Sequence, residues 1–469
     1  MTRLVHFVAA CIPLLLLSNG DSALGAASPN FVIIMADDLG YGDLSCYDGW
    51  IHTPSIDRLA AMGIRLTDYH SNGAVCSPTR AALMTGRYQQ RCGIAGVVMA
   101  DPARGWRERG LPLAEVTLPE VLHDHGYQTA MFGKWHLGYN PTFNPVHHGF
   151  DAFRGYVSGN VDYFSHIDQA GFQDWWRNDQ LEDDPGYSTH LINSYAAEFL
   201  RTVDDEKPFL LYVAHEAPHY PYQGPADNAF RTPGNGEVRQ QLTDQEIHDA
   251  YRQMVQEVDS GLGRLLDVLR QRRLDQKTVV IFCSDNGGTA NGSNGALRGF
   301  KGQLFEGGHR VPAVISYPGH LRAGQVLPHT VMTMDLMPTL LDLANIPMPE
   351  RPLDGISLRT MLESSQPLPP RTLFWEFNDA LAVRDGDWKL IRQPANRGNA
   401  RQRNQQQPAT QLFNLAQDPG EATDVAADHA EVVERLSLML DEWRMQVELD
   451  GAAAMKDQLN PATDSTTKH

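Results

Sequence analysis

Three unbroken apolar runs stand out along the chain: Phe31 to Ala36, Pro208 to Ala214 and Thr278 to Cys283. Runs of this length without a polar alternate mark strands covered on both faces, as in a parallel sheet. A fourth stretch, Gly126 to Gly138, predicts a strand that runs into a glycine-bounded loop. Helical spacing appears between the runs. Met254, Val258, Leu262, Leu265, Leu266 and Leu269 share one face of a helix over Tyr251 to Leu269, suited to covering a sheet. Strands alternating with helices indicate an α/β fold, a mostly parallel sheet flanked by helices.

The pattern changes after the proline-rich boundary at Pro367 to Pro370. Leu373 to Phe377, Leu381 to Val383 and Trp388 to Ile391 read as strands, with Asp385-Gly386 as a hairpin turn. Val432, Leu436, Met439, Leu440, Trp443 and Val447 then form an amphipathic helical stripe. The expected organisation is a large α/β domain over residues 28–366, a smaller α+β domain over 367–450, and a mobile tail over 451–469. The Gln- and Asn-rich insert at Asn396 to Gln407 is also expected to be mobile. Met1 to about Ala27 carries Arg3, an apolar run from Phe7 to Leu17 and small residues near a cleavage point, so residues 1–27 read as a secretory signal peptide. The mature chain is then secreted or periplasmic. No other apolar stretch reaches the ~18 residues a membrane span needs.

Charge and cysteines narrow the partners. Lys plus Arg number 39 and Asp plus Glu 57, a net charge of -18 that loss of Arg3 and Asp21 with the leader leaves unchanged. Such a surface attracts neither nucleic acid nor an anionic membrane, so cations that hold an anionic substrate must be concentrated in its pocket. Of five cysteines, Cys11 lies in the leader and Cys76 is a candidate for chemistry. Cys46, Cys92 and Cys283 remain, enough for one disulfide at most and no disulfide framework.

Asp37-Asp38 follow the first apolar run directly, and Asp285-Asn286 follow Thr278 to Cys283 almost as closely. Ligands of open α/β sheets sit at these carboxyl ends. Adjacent carboxylates repel unless a cation or hydrogen bonds compensate them, although Asp37-Asp38-Leu39-Gly40 also reads as a plain turn. Taken together the four side chains offer only oxygen ligands, which suits Ca²⁺ or Mg²⁺ better than zinc. Cys76 precedes a helix that Pro78 suits as first position and Ser77 as cap, and that Ala81 to Met84 continue up to Gly86. The amino end favours an anion, and Arg80 lies one turn on. Lys134 and His136 are two apart and share a face if the chain there is extended. His215 and His219 follow the Pro208 to Ala214 strand, and Trp175, Trp176 and Tyr156 read as core.

The run Cys76-Ser77-Pro78-Thr79-Arg80, with Leu83 to Gly86 behind it, resembles the sulfatase signature, every position of which is filled. Gly133-Lys134-Trp135-His136-Leu137-Gly138 resembles a second sulfatase signature, and Pro218-His219-Tyr220-Pro221 a proline-histidine-x-proline element. Gly299-Phe300-Lys301 and Glu306-Gly307-Gly308-His309-Arg310 are similar to further elements, and Leu412 to Leu415 before Asp418-Pro419 to the family's carboxyl-terminal one. The resemblance covers Asn30 to Pro318, thins beyond it, and leans towards the arylsulfatase and N-acetylgalactosamine sulfatase group.

That resemblance implies an alkaline-phosphatase-like fold and hydrolysis of a sulfate monoester, on a sulfated sugar or an aryl sulfate. It implies that a formylglycine-generating maturation enzyme oxidises Cys76, and that Asp37, Asp38, Asp285 and Asn286 hold Ca²⁺ together with the oxygen at position 76. Lys134, Lys301 and Arg80 stabilise the sulfuryl oxygens, Ser158 lies near the sulfate, His219 protonates the leaving alcohol and His136 is the base. Glu306 and Arg310 hold the loop. Two other readings stay open. A phosphodiesterase or phosphonate monoester hydrolase of the same superfamily would share these groups, and a non-catalytic sulfated-glycan-binding protein would keep an unmodified thiol at Cys76.

Overall fold

The computed structural model describes residues 28–99, 106–238, 241–393 and 410–459. The proposed leader, with Cys11, and the insert at Asn396 to Gln407 lie outside them. The strands are β1 (Asn30–Ala36), β2 (Ile64–Leu66), β3 (Tyr69–His70), β4 (Gln128–Lys134), β5 (Ala152–Tyr156), β6 (Trp176–Arg177), β7 (Gln180–Leu181), β8 (Phe209–Ala214), β9 (Thr278–Ser284), β10 (Ala313–Ser316), β11 (Gln325–Leu327) and β12 (Val331–Met332). All but β3 and β12 form one sheet, in the order β11-β2-β10-β9-β1-β8-β4-β5-β6-β7. Its centre, β9-β1-β8-β4-β5, is parallel. β10 runs antiparallel beside it.

The buried-strand pattern has a direct cause. Phe31, Ile33 and Met35 face one core and Val32, Ile34 and Ala36 face the other, so every position from Phe31 to Ala36 must be apolar. α5 (Asp244–Gln271) covers the second face and begins before the apolar stripe. Its first turn is polar and is secured by a capping box, in which Thr243 accepts from Glu246 N and the Glu246 carboxylate accepts from Thr243 N. α2 (Cys76–Thr85) starts two residues earlier than Pro78 would dictate, with Val75 as the residue before the helix. Ser77 does not cap it: its hydroxyl accepts from Val98 N at 3.0 Å. Gly86, at φ 64°, ends it as predicted.

The carboxyl-terminal region forms a separate antiparallel sheet of β13 (Thr372–Phe377), β14 (Ala380–Asp385), β15 (Trp388–Arg392) and β16 (Thr410–Asn414). The terminal helix, Ala430–Leu459, lies against it through Leu436, Leu440, Trp443 and Val447. This helix continues past Gly451, where the sequence led us to place the start of the tail, and only residues 460–469 fall outside the described part. The small sheet shares a core with Ala82 of α2 and with Leu304 and Phe305. Its packing therefore reaches the elements that carry Cys76 and Lys301. Cys46, Cys76, Cys92 and Cys283 are all free thiols. Among the described residues no helix is long and apolar enough to cross a membrane.

Ala36 pairs in register with Ser284, and Met35 with Ala214, so Asp37, Asp285 and His215 leave the sheet side by side. Gly133 precedes Lys134 at φ 110°, and a Cβ there would overlap the carbonyl oxygen of Ala214. Gly133→Ala is expected to destabilise the fold by roughly 3 kcal/mol, read from the urea midpoint, because it adds both strain and overlap.

Candidate active site

Four strand ends, β9, β1, β8 and β4, converge on the amino end of α2. Cys76 is 2% exposed, and its Sγ donates to Asp37 Oδ1 at 3.3 Å while Lys301 Nζ approaches Sγ at 3.6 Å. Burial, then the Asp37 carboxylate, pushes the thiol up to about 12 against the pull of Lys134 and Lys301. Cys76 as a plain cysteine is thus a neutral thiol at neutral pH and a poor nucleophile.

Asp37 also ion-pairs with Lys134 Nζ. Burial alone would raise its carboxyl, but Lys134, His219, Arg80 and Lys301 together hold it well below the usual carboxylate range. Asp38 sits at φ 66° and accepts from Asn286 Nδ2 at 2.8 Å, with Lys301 Nζ at 2.6 Å on the same oxygen. Asp285 Oδ2 accepts from Arg80 Nε at 3.0 Å and Nη2 at 2.7 Å. Burial first, then repulsion from Asp37, raises the Asp285 carboxyl to about 7. Three buried carboxylates thus face three cations in one cluster.

This donor set fits a divalent cation. Asp37, Asp38 and Asp285 supply carboxylate oxygens, and Asn286 Oδ1 is buried with no partner while its Nδ2 is used. An orphaned buried carbonyl oxygen is costly unless something binds it. Asp37, Asp38, Cys76 and His219 each present a ligand atom within 4.8 Å of the others.

Arg80 is spent within the protein. Nε and Nη2 hold Asp285, and Nη1 donates to Lys134 O at 2.9 Å and Tyr212 OH at 3.4 Å. It organises the cluster, whereas Lys134 and Lys301 carry the ammonium groups beside Asp37, Asp38 and Cys76. His136 departs from the expected shared face: β4 ends at Lys134, and His136 turns the chain at φ 57°. Its Nε2 donates to Val98 O at 3.0 Å, which places the proton there and leaves Nδ1 buried without a partner. Burial, with Lys134 and Arg80, holds the ring neutral, well below its ordinary value.

His219 donates from Nδ1 to Tyr220 O at 2.6 Å, so Nε2 is the atom 3.7 Å from Asp38 Oδ2. Burial, then Lys301, lowers it to about 4. Ser158 is not joined to the cluster by any described contact; its hydroxyl donates to Asn160 O at 3.0 Å. His215 is buried, pushed down to about 3 by desolvation, and plays no visible part. Tyr156 and Trp175 stack in the core, as expected. Tyr212 and Tyr251 were not singled out, because each falls inside an apolar pattern. Tyr212 accepts from Arg80, and Tyr251 OH donates to Asp38 O at 3.2 Å. Only their hydroxyls, at positions where phenylalanine would pack as well, could have revealed them. Arg80→Met strands Asp285 and Asp37 without their guanidinium and is expected to cost about 3–5 kcal/mol of stability in chemical denaturation.

Comparison with known proteins supplies the family. Residues 29–346 match the family described as Sulfatase, and residues 300–446 that described as N-sulphoglucosamine sulphohydrolase, C-terminal. Arylsulfatase A of Homo sapiens is 34% identical over 459 residues, covering 87% of this chain and 85% of that protein. N-acetylgalactosamine-6-sulfatase of Rattus norvegicus is 31% identical over 445 residues, covering 85% and 82%. Among solved structures, Ps i-CgsB in complex with k-i-k-neocarrahexaose superposes with a TM-score of 0.77 at 26% identity, over 93% of this chain and 98% of that one. BT4656 in complex with D-glucosamine-2-N,6-O-disulfate shares the fold, with a TM-score of 0.70 at 23% identity over 90% and 98%. The cysteine that heads α2 therefore stands in a chain that matches sulfatases along most of its length, and the chain belongs to the sulfatase family of sulfate-ester hydrolases.

Proposed function

We propose that this chain hydrolyses a sulfate monoester of a sugar, with a formylglycine made from Cys76 and a bound divalent metal. The observation that carries the reading is Cys76 itself, a neutral buried thiol at a helix mouth, 3.3 Å from Asp37 and 3.6 Å from Lys301. A thiol held up to about 12 cannot serve as a thiolate, so its position beside so many charged groups favours conversion. The hydrated aldehyde supplies two hydroxyls on one carbon, the first for attack at sulfur and the second for expulsion of sulfate, which a serine or cysteine lacks. Conversion of a residue this buried must precede folding, which calls for a formylglycine-generating enzyme acting on the unfolded chain.

Asp37, Asp38, Asp285 and Asn286 would hold the metal, and their hard oxygen donors suit Ca²⁺ or Mg²⁺. When bound, the ion polarises the sulfuryl oxygens. Lys134 and Lys301 bind and neutralise those oxygens from fixed positions, so no reorganisation is needed as charge develops. Arg80 keeps Asp285 and the Lys134 carbonyl in place. His219 keeps its proton on Nδ1 against Tyr220 O and is neutral before substrate arrives, lowered to about 4; a proton taken up on Nε2 with the substrate would be the one given to the departing alcohol. His136 keeps the Nδ1 lone pair free to accept a proton, since Val98 O fixes its tautomer. Ser158 would reach sulfate only if its bond to Asn160 O were exchanged, and it has no role here.

The leaving group is read as a ring. The relatives include an N-acetylgalactosamine sulfatase, and exposed Tyr220 and Phe300 adjoin His219 and Lys301. Residues 1–27 would direct the chain to secretion or the periplasm. Membership of the sulfatase family favours a sulfate ester over a phosphate ester.

Two measurements test this. Mass spectrometry of the tryptic peptide containing Cys76 is expected to show sulfur replaced by oxygen; an intact thiol would leave only a glycan-binding role. Against a panel of aryl sulfate, aryl phosphate and sulfated mono- and oligosaccharides, sulfate esters should turn over fastest. Dominance of phosphate would reject the proposal.

A further inference from the structure

A second buried charged cluster lies behind the loop that carries Lys301, and nothing in the chemistry above uses it. Lys389, on β15 of the small sheet, is fully buried. Its Nζ donates to Glu306 Oε1 at 2.8 Å, lies 2.9 Å from Glu421 Oε1, and is 3.0 Å from His309 Nε2. Burial would raise the Glu306 carboxyl, yet Lys389 and the adjacent His70 and His309 hold it far below its ordinary value. His70, Glu306 and His309 have their ligand atoms close enough for a metal, but the Lys389 ammonium already stands between Glu306 and His309. The chain supplies its own cation.

The network grips the Lys301 loop at both ends. Glu421 accepts from Glu306 N through Oε2 at 2.6 Å, and its backbone oxygen accepts from Arg298 Nη1 at 2.8 Å. Residues 298 to 306 are thereby tied to one glutamate and, through it, to Lys389. Between the two ties, Lys301 N donates to Gly288 O at 3.0 Å and Gly302 N to Ala74 O at 2.8 Å. The first of these acceptors belongs to the Asp285-Asn286 loop, and the second lies two residues before Cys76. The Lys301 backbone is thus fixed to both halves of the site, and its outer flanks are fixed to the small sheet.

Burying five ionisable groups here is a poor way to gain stability, since well-packed apolar residues of equal volume do as well or better. A buried polar network held by directed bonds and ion pairs does select one geometry. We infer that Lys389, with Glu306 and Glu421, is a positioning residue that sets the reach of Lys301 towards Asp38 and position 76. The small sheet is then part of the catalytic apparatus at one remove. The inference rests on the proposed role of Lys301 as a sulfate-binding ammonium.

A double-mutant cycle tests it on the full-length enzyme, comparing Lys389→Met, Lys301→Ala and the double variant in kcat/KM on aryl sulfate and in inhibition by inorganic sulfate. Lys389→Met is expected to lower kcat/KM and weaken sulfate inhibition, each roughly tenfold, while adding less than about twofold in the Lys301→Ala background. Full multiplication of the two losses, or sulfate inhibition equal to wild type, would overturn the inference and leave Lys389 a purely structural residue. Where Lys389→Met does not fold, Arg298→Met cuts the loop's first tie at a half-buried site, and the same non-additivity with Lys301→Ala is required of it. Calorimetric binding of inorganic sulfate runs the same cycle without turnover. Inactivity of the wild type on sulfate esters therefore refutes the proposed function, whereas additivity refutes only the positioning.

Discussion

The structure depends on one compensation of charge. Asp37, Asp38 and Asp285 leave adjacent strand ends and are buried together with Arg80 and Lys134, with half-buried Lys301 against them. Each ion would cost several kcal/mol to bury alone, and each becomes tolerable through its opposite. That requirement explains features which otherwise look unrelated. The register of β1 with β9 sets Asp37 beside Asp285, α2 delivers Arg80 from one turn inside its own helix, and positive-φ Gly133 lets β4 crowd β8 just before Lys134. The helix mouth at Cys76 then meets charges that are fixed before any substrate arrives, the condition for electrostatic catalysis.

The two parts of the chain meet at the elements that carry the site. The small sheet shares apolar contacts with α2 and with Leu304 and Phe305, and Lys389 adds a buried ionic tie to the same loop. Trp375 of the small sheet also donates to Ser71 O, a few residues before Cys76. A displacement of that sheet would therefore be felt at both Lys301 and Cys76.

Much of this was legible in the residues. Unbroken apolar runs gave away the central strands because both faces of the sheet are covered, and Asp37, Asp38, Asp285 and Asn286 declared themselves by following such runs. Backbone conformation was less legible. Lys134 and His136 looked like neighbours on an extended face, but the left-handed turn at His136 was invisible to a two-residue spacing. The same holds for Ser77, whose cap position depended on where α2 starts, and the helix starts at Cys76. Arg80 was foreseen near the anion, yet only the fold shows that Asp285 and two oxygen acceptors use up its guanidinium. Tyr212, Tyr251 and Lys389 stayed hidden for a common reason. Each sits in an apolar pattern, and its polar atom finds a partner more than 80 positions away.

The central claim is that these paired charges form a site for one divalent cation at the helix mouth. Isothermal titration of Ca²⁺ into metal-stripped protein tests it most directly, run on the wild type and on Asp285→Ala. Saturable binding of one ion per chain, accompanied by proton release as the raised Asp285 carboxyl ionises and abolished by the substitution, is the result the charge arrangement predicts. Absence of saturable binding in the wild type, or identical isotherms for the two proteins, would contradict it.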